Sequence, residues 1–392
     1  MIVKRLRLRD FRNYGQLSID LSENLNIIYG ENAQGKTNIL EAVFLCSTGR
    51  SHRTLKDSEM IKFGSDAAVV ELVTERENFG ACGIEIEIQR SGRKRILVNG
   101  VPQRRAGDLL GRFNCAIFSP EDLAIIKDEP QIRRRFLDMF ISQIKPSYYF
   151  NLQRYLSVLR QRNALLRQAR ENPGLLDTIN VWDSQLSEFG AKVMRERLYY
   201  VGQINGCAKT NHTRITGGSE ELSVLYEPSL KLGDVLIYEN GDATDMDEDT
   251  RRRIDTTING LFLNALERGL RADAARMATQ CGPHKDDIKC TIDGRDARLY
   301  GSQGQQRTAA LALKMAQVDV MAAESGEIPV LLLDDVMSEL DHNRRDNISS
   351  NMKKAQIIIT GTDRYARSLS ATGEEQSEAA YFLVDNGQIS KD

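Results

Sequence analysis

The stretch GENAQGKT, Gly30 to Thr37, fits the pattern G-x-x-x-x-G-K-[ST] in full. It follows the short apolar run LNIIY and precedes a segment of helical character from about Lys36 to Leu45, so it reads as a phosphate loop between a strand and a helix. The parts have separable jobs. Gly30 and Gly35 allow the backbone to bend, so that successive N–H groups of Glu31, Asn32, Ala33, Gln34 and on through Asn38 turn inward around phosphate oxygens. The helix N-terminus adds partial positive charge, Lys36 reaches the terminal phosphates and the Thr37 hydroxyl is a Mg²⁺ ligand. A glycine-rich turn that merely caps a helix is the plain alternative.

Such a loop needs a metal-holding acid on a neighbouring strand. PVLLLDD supplies one: Val330 to Leu333 are apolar, and Asp334 and Asp335 stand where the strand ends. Asp334 would hold Mg²⁺ through water, and Asp335 would orient or deprotonate the attacking water. Asp335 and Lys36 are therefore the candidate catalytic groups, and Thr37 and Asp334 the candidate metal ligands. An acid pair capping the next helix is the alternative.

At 392 residues the chain is long enough for two domains. A net charge of −2 excludes a uniformly basic, histone-like binder, so any nucleic-acid surface must be local. Six cysteines form no Cys-x-x-Cys pair and no ligand-like grouping with the four histidines, which predicts reduced thiols and a cytoplasmic protein. The start has no apolar signal region, and no apolar run approaches membrane-spanning length.

Strand patterns fill the first part of the chain, with Asn99-Gly100 as a hairpin turn. From about Pro120 to Gly206 the pattern is helical, broken at Pro146 and Pro173-Gly174. ENGDATDMDEDT reads as an exposed loop before a helix from about Arg251 to Gly269. After about Ala275 strands return, with a hairpin at Asp293-Gly294, and a polar helix is expected from Asp341. The economical arrangement is one α/β domain built from residues 1–118 and 273–392, with a mainly helical domain, 119–272, inserted in it.

One more helix stands out. In YGSQGQQRTAALALKMAQ the positions from Thr308 onward follow a buried-helix pattern, but Ser302 to Arg307 offer hydrogen-bond groups and almost no apolar surface. If that first turn contacts nothing in its own chain, its natural target is a phosphate held by a second copy. Two head-to-tail chains would then close two equivalent sites. A solvated N-cap built on Ser302 is the alternative.

Together these elements resemble the ABC-type ATPase heads of the SMC/Rad50/RecF class. SQGQQR resembles their signature helix, LLLDD their second acidic motif, and Ser338-Glu339-Leu340-Asp341 the loop after it. LRDFRNY, GENAQGKTN, FSPEDL, RRRFLD, GPHKDD, GSQGQQRT and LLLDDVMSELD occur in the order of the RecF family along almost the whole chain. The resemblance implies an α/β ABC-type P-loop ATPase head, with ATP and Mg²⁺ as cofactors and weak, DNA-dependent hydrolysis used as a switch. It implies a homodimer that forms on ATP and clamps duplex DNA at single-strand gaps, in recombinational repair, replication restart and the SOS response. RecO and RecR are the implied partners in loading RecA. The resemblance also places Arg12 and Asn13 beside the nucleotide phosphates, and Ser302, Gly304 and Gln305 on the γ-phosphate of a second copy. FSPEDL, with Ser119, Glu121 and Asp122, sits where related heads sense the γ-phosphate, although transporters carry a glutamine there. Thr360 stands where transporters place a histidine. A surface hairpin remains open for Arg12 and Asn13, and a packed core histidine for His284 of GPHKDD.

Basic residues cluster at Lys4, Arg5, Arg7, Arg9 and Arg12; at Arg93 to Arg95; at Arg104 and Arg105; at Arg133 to Arg135; and at Arg154, Arg160, Arg162, Arg167 and Arg170. Few aromatics interleave with them, so backbone binding to duplex DNA fits better than a base-stacking platform. Two other classes remain in view. A P-loop kinase or other small-molecule ATPase would complete its site within one chain, and a DNA-binding module with a vestigial nucleotide site would be indifferent to ATP. A Rad50-like subunit fits poorly, because no long heptad insertion separates the two ATPase halves.

Overall fold

The computed structural model describes residues 1–77, 79–233, 247–336, 355–362 and 379–392. In chain order the elements are β1 (Ile2–Phe11), β2 (Tyr14–Asp20), β3 (Leu25–Tyr29), α1 (Lys36–Thr48), β4 (Ala67–Arg76), β5 (Gly80–Gln89), β6 (Arg95–Val98), β7 (Val101–Pro102) and β8 (Cys115–Phe118). Then come α2 (Ala124–Lys127), α3 (Pro130–Ile144), α4 (Pro146–Gln168), α5 (Ile179–Thr216), β9 (Leu222–Glu227), α6 (Glu248–Arg276), β10 (Asp287–Ile292), β11 (Arg295–Asp296), α7 (Ala297–Tyr300) and α8 (Gln303–Ser325). Finally β12 (Val330–Asp334), β13 (Ile357–Gly361), β14 (Ala380–Asp385) and β15 (Gln388–Lys391) complete the chain. Among the described residues no helix is long and apolar enough to cross a membrane.

Two compact units result. Met1–Asp122 and Gln317–Asp392 form the first, and Leu123–Ala316 the second. Boundaries at 118/119 and 272/273 are expected from the sequence; the second compact unit instead starts at Leu123 and runs on to Ala316. Backbone pairing accounts for the later end. β10 joins β9 in an antiparallel register from Asp287↔Glu227 to Ile292↔Leu222, so the strands that follow the helical segment complete a small sheet with it. The Ser338–Asp341 loop and the helix expected from Asp341 lie outside the described residues.

Among the described residues the first unit holds two sheets. One is antiparallel, in the order β2-β1-β4-β5-β6-β7. Its β1 carries a register shift between Val3 and Arg5, which rephases the alternation so that Val3, Leu6 and Leu8 are all buried. The other has the order β15-β14-β3-β13-β12-β8, parallel from β14 to β8, with β15 antiparallel at the edge. CAIF and VLLLD are buried throughout, which is why these strands read as unbroken apolar runs rather than alternating ones. Because β3, β13, β12 and β8 are parallel neighbours, Tyr29, Thr360, Asp334 and Phe118 all lie at the same, C-terminal, edge of the sheet.

In the second unit the prolines mark helix starts as the sequence indicates: Pro130 and Pro146 open α3 and α4 at the position where a missing N–H costs nothing. α6 begins earlier than expected because Asp247 caps it, accepting from the Thr250 N–H at 2.7 Å. Gly190 in α5 admits Phe262 of α6: a Cβ there would come within 2.5 Å of the ring. The Asn99-Gly100 and Asp293-Gly294 turns both form, with positive φ at each residue.

Candidate nucleotide site

The phosphate loop leaves β3 at the C-terminal edge of the parallel sheet and enters α1. Gly30 has φ of +146°, and a Cβ on it would sit 2.3 Å from the Val384 carbonyl oxygen of the neighbouring β14. Gly35 has φ of +111°, and its Cβ would fall 2.4 Å from the Asn13 side chain. Both positions require glycine for conformation and for space. Ala33 also takes a positive φ, of 65°.

Three polar side chains brace the loop from outside. Asn13 Nδ2 donates to the Gln34 carbonyl at 2.7 Å, and the Tyr14 hydroxyl donates to the Gly35 carbonyl at 3.0 Å. Asn38 Nδ2 donates to Asn13 Oδ1 at 2.9 Å. The Gln34 side chain accepts the Asn386 N–H at 2.7 Å, which ties the loop to the tight β14–β15 turn. Asn386-Gly387 is itself an Asn-Gly hairpin signal that the sequence reading passed over. The bracing role of Tyr14 has no comparable signature.

Lys36 is buried, and its ammonium donates to the carbonyls of Gly30 and Glu31, both at 2.8 Å. Burial lowers its pKa, while the nearby carboxylates of Asp335 and Asp334 work in the other direction. The Thr37 hydroxyl donates to Asp334 Oδ1 at 2.8 Å, and Thr360 Oγ1 donates to the same oxygen at 2.7 Å. Burial raises the Asp334 pKa above the ordinary carboxylate value; the two hydroxyl bonds oppose the rise, and Asp335 and Glu121 add to it. Asp335 takes a left-handed φ of 53°, a region few non-glycine residues enter but aspartate enters more readily than most, and its N–H donates to Thr360 Oγ1 at 3.2 Å. A hydroxyl, a costly buried carboxylate and a lysine thus converge at the strand edge. Hard oxygen donors of this type suit Mg²⁺. Among the described residues no cluster of three or more His, Cys, Asp or Glu is placed to hold a metal by itself.

Other expected residues fall elsewhere. Arg12 makes a two-pronged ion pair with Glu41 of α1, at 2.8 and 2.6 Å, and its third nitrogen donates to the Glu59 carbonyl at 2.7 Å. Glu41 is fully buried. Burial pushes its pKa up, but bonds from Arg12 and Ser51 outweigh this and hold the carboxyl below the usual range. Arg12 is therefore fixed to the helix that follows the loop, and Arg53 joins the same cluster by donating to Asn38 Oδ1 at 2.9 Å. Glu41 and Arg53 were not singled out from the sequence. In FSPEDL, Asp122 accepts the Ser119 N–H at 2.9 Å, and the Glu121 charge is felt at Asp334.

Ser302, Gly304 and Gln305 belong to the second compact unit. There the notion that the first turn of α8 finds nothing inside its own chain is corrected. Ser302 N–H donates to Gln305 Oε1 at 2.8 Å and Gln305 N–H to Ser302 Oγ at 3.2 Å, a reciprocal capping box. Gln305 Nε2 donates to Glu220 at 3.0 Å, and Gln306 Nε2 to the Ala297 carbonyl at 2.9 Å. Orphan N–H groups at a helix start recruit side chains within reach before any outside ligand. Ser302, Gln303 and Gly304 nonetheless stay exposed.

The basic clusters are narrower than the sequence suggests. Arg5 pairs with Asp20 at 2.5 Å and Arg7 with Glu71 at 3.7 Å across the antiparallel sheet, Lys4 lies 3.1 Å from Glu75, and Lys94 bonds Asp57 at 2.8 Å. Arg133 is buried in a bidentate pair with Asp287 at 2.6 and 2.8 Å, and Arg134 donates to the Asp286 carbonyl at 2.6 Å. RRRFLD and GPHKDD are thereby two halves of one buried network. His284 of that network accepts or shares a proton with the Tyr155 hydroxyl at 2.6 Å, and its pKa is lowered by burial, as for a core histidine. Arg162 is fully buried between Asp183, at 2.5 Å, and Asp273, at 2.7 Å, so it is no part of a surface stripe. Arg160, Arg167 and Arg170 remain exposed, and Arg154 lies over the Phe189 ring.

The chain is similar to known proteins over most of its length. The family described as the RecF/RecN/SMC N terminal domain matches residues 2–374. The DNA replication and repair protein RecF of Ruminiclostridium cellulolyticum is 41% identical over 391 residues, covering 99% of either chain. Its counterpart from Acetivibrio thermocellus is 41% identical over 364 residues, 93% of this chain and 94% of the other. A solved structure of the recombination mediator protein RecF with ATP, from the RecFOR pathway, superposes with a TM-score of 0.86 at 35% identity, over 100% of this chain and 97% of that one. The α/β ABC-type ATPase head expected from the sequence is the fold observed.

Proposed function

The chain belongs to the RecF family within the RecF/RecN/SMC class, and on that premise we propose that it is a DNA replication and repair ATPase whose ATP-bound form pairs with a second copy and closes on duplex DNA. The observation that carries this reading is the meeting of Lys36, Thr37, Asp334 and Asp335 at one sheet edge, with Thr37 bonded to Asp334 at 2.8 Å.

In this reading ATP phosphates take the place of the Gly30 and Glu31 carbonyls on Lys36, and the N–H groups of the loop and the α1 N-terminus hold the remaining oxygens. Thr37 and Asp334 hold Mg²⁺, which when bound offsets phosphate charge. Asp335, held by its left-handed backbone, orients the attacking water. Thr360, at the position where transporters place a histidine, keeps Asp334 and the Asp335 backbone in register. Asn13 acts on the nucleotide through the loop it braces, and Arg12 through its ion pair with Glu41 on the helix that follows the loop. Ser302 and Gly304 of a second copy meet the γ-phosphate. Binding to the DNA backbone rests on exposed arginines such as Arg160 and Arg167 rather than on Arg133 or Arg162. RecO and RecR as partners, loading of RecA, the SOS role and the cytoplasm come with the family.

A mixture of two inactive variants tests the split site. Lys36→Ala removes phosphate binding, and Ser302→Arg blocks closure with a bulky cation. Random pairing at equal concentration makes about half the dimers mixed, each with one intact composite site. ATP hydrolysis is expected to recover to about a quarter of the parent rate if the two sites act independently. A small-molecule ATPase that completes its site within one chain gives no recovery and no ATP-dependent association of differently tagged variants.

A further inference from the structure

Glu220 occupies the connection between α5 and β9, far in sequence from α8, and meets the helix start at its capping residue. Gln305 uses both ends of its amide: Oε1 accepts the Ser302 N–H at 2.8 Å, and Nε2 donates to Glu220 Oε1 at 3.0 Å. A flipped amide would set Nε2 against the Ser302 donor and its oxygen against a carboxylate, two repulsive contacts in place of two bonds. Glu220 therefore selects one orientation of Gln305, and that orientation is the one which caps Ser302.

The carboxylate is itself confined. Its side chain is 24% exposed, and its second oxygen faces the fully buried His212, whose Nε2 lies 3.7 Å away. That separation is too long for a hydrogen bond. Neither nitrogen of His212 has a hydrogen-bond partner among the described residues. Burial lowers the pKa of this histidine and favours its neutral form, against the pull of Glu220 and Asp293. The next residue, Glu221, anchors the connection: its N–H donates to Asp293 Oδ1 and its carbonyl accepts the Asp293 N–H, both at 2.9 Å.

From this juxtaposition we infer that Glu220 is a positioning residue for the exposed first turn of α8. It holds Gln305, and through Gln305 the backbone of Ser302, in the capped geometry of the exposed turn from Ser302 to Gly304. The functional consequence rests on the split-site reading above: a turn held by Glu220 is ready for the phosphate of a second copy without ordering it at that moment.

Two measurements on the full chain decide it. The first needs no nucleotide: amide hydrogen exchange over residues 301–308. Glu220→Ala is expected to speed exchange of this segment by about tenfold, while Glu220→Gln, whose Oε1 still accepts from Gln305, keeps it within about twofold of the parent. Unchanged exchange in Glu220→Ala, or equally fast exchange in Glu220→Gln, overturns the proposal. The second is ATP-dependent self-association. Glu220→Ala is expected to weaken it about tenfold with ATP affinity of the single chain retained, and Glu220→Gln to restore it. Loss of ATP affinity and association together marks general damage and overturns the positioning role. If the parent chain does not associate with ATP, the split-site reading falls, and the exchange comparison still decides the role of Glu220.

Discussion

The Thr37 hydroxyl donates a hydrogen bond to Asp334 across 297 residues of sequence, and Thr360 donates to the same oxygen. The pair closes the end of the parallel sheet around a carboxylate whose charge is costly to bury.

Asp334→Asn is expected to keep both hydroxyl bonds and shed that cost. Asp334 has a raised pKa in the folded chain, so the fold binds its proton more readily than the unfolded chain does. Stability drawn from this group is present at low pH and is lost as pH rises through the raised value. Asp334→Asn therefore melts at or above the parent temperature at pH 7, and the gap closes as pH falls toward 4. Affinity for Mg-ATP drops by about tenfold or more. Thermal melts across pH check the first part, and nucleotide titration with and without Mg²⁺ the second.

Asp335→Asn separates binding from hydrolysis. The side chain is expected to position water without being needed to hold ATP, so the variant binds ATP normally and hydrolyses it on the order of a hundredfold more slowly. Normal turnover in this variant would remove Asp335 from the catalytic role.

Lys36→Ala is expected to weaken ATP binding by about a hundredfold, because the ammonium faces concentrated phosphate charge. Its ammonium satisfies the carbonyls of Gly30 and Glu31, so the variant is also expected to lose about 1–3 kcal/mol of stability while remaining folded. Calorimetric titration of ATP together with a melt distinguishes this from misfolding.

The arginines divide into two kinds. Arg162→Ala leaves Asp183 and Asp273 facing each other unpaired in the interior and is expected to cost about 3–5 kcal/mol of stability. Arg160→Ala and Arg167→Ala change the melting temperature little, lower affinity for duplex DNA, and each reduce the salt slope of binding by about one. Melts and salt-dependent DNA titrations on the same preparations test the division.

Local sequence by itself determined the phosphate loop, the strands around it, the proline-started helices and the Asn99-Gly100 and Asp293-Gly294 turns. Each of these depends on residues close together in the chain: φ freedom at a glycine, a missing N–H at a proline, an apolar run long enough for a strand buried on both faces. Charge patterning was legible only as clusters. Whether an arginine is surface or scaffold depends on which carboxylate the fold brings to it, and those carboxylates come from distant segments: Glu41 for Arg12, Asp287 for Arg133, Asp273 for Arg162. The same holds at α8. Its polar first turn is visible in SQGQQR, but Glu220, 85 residues earlier, is what holds Gln305. Tertiary structure decided these points because a buried charge must find a partner in space, and sequence spacing carries no information about which partner that is.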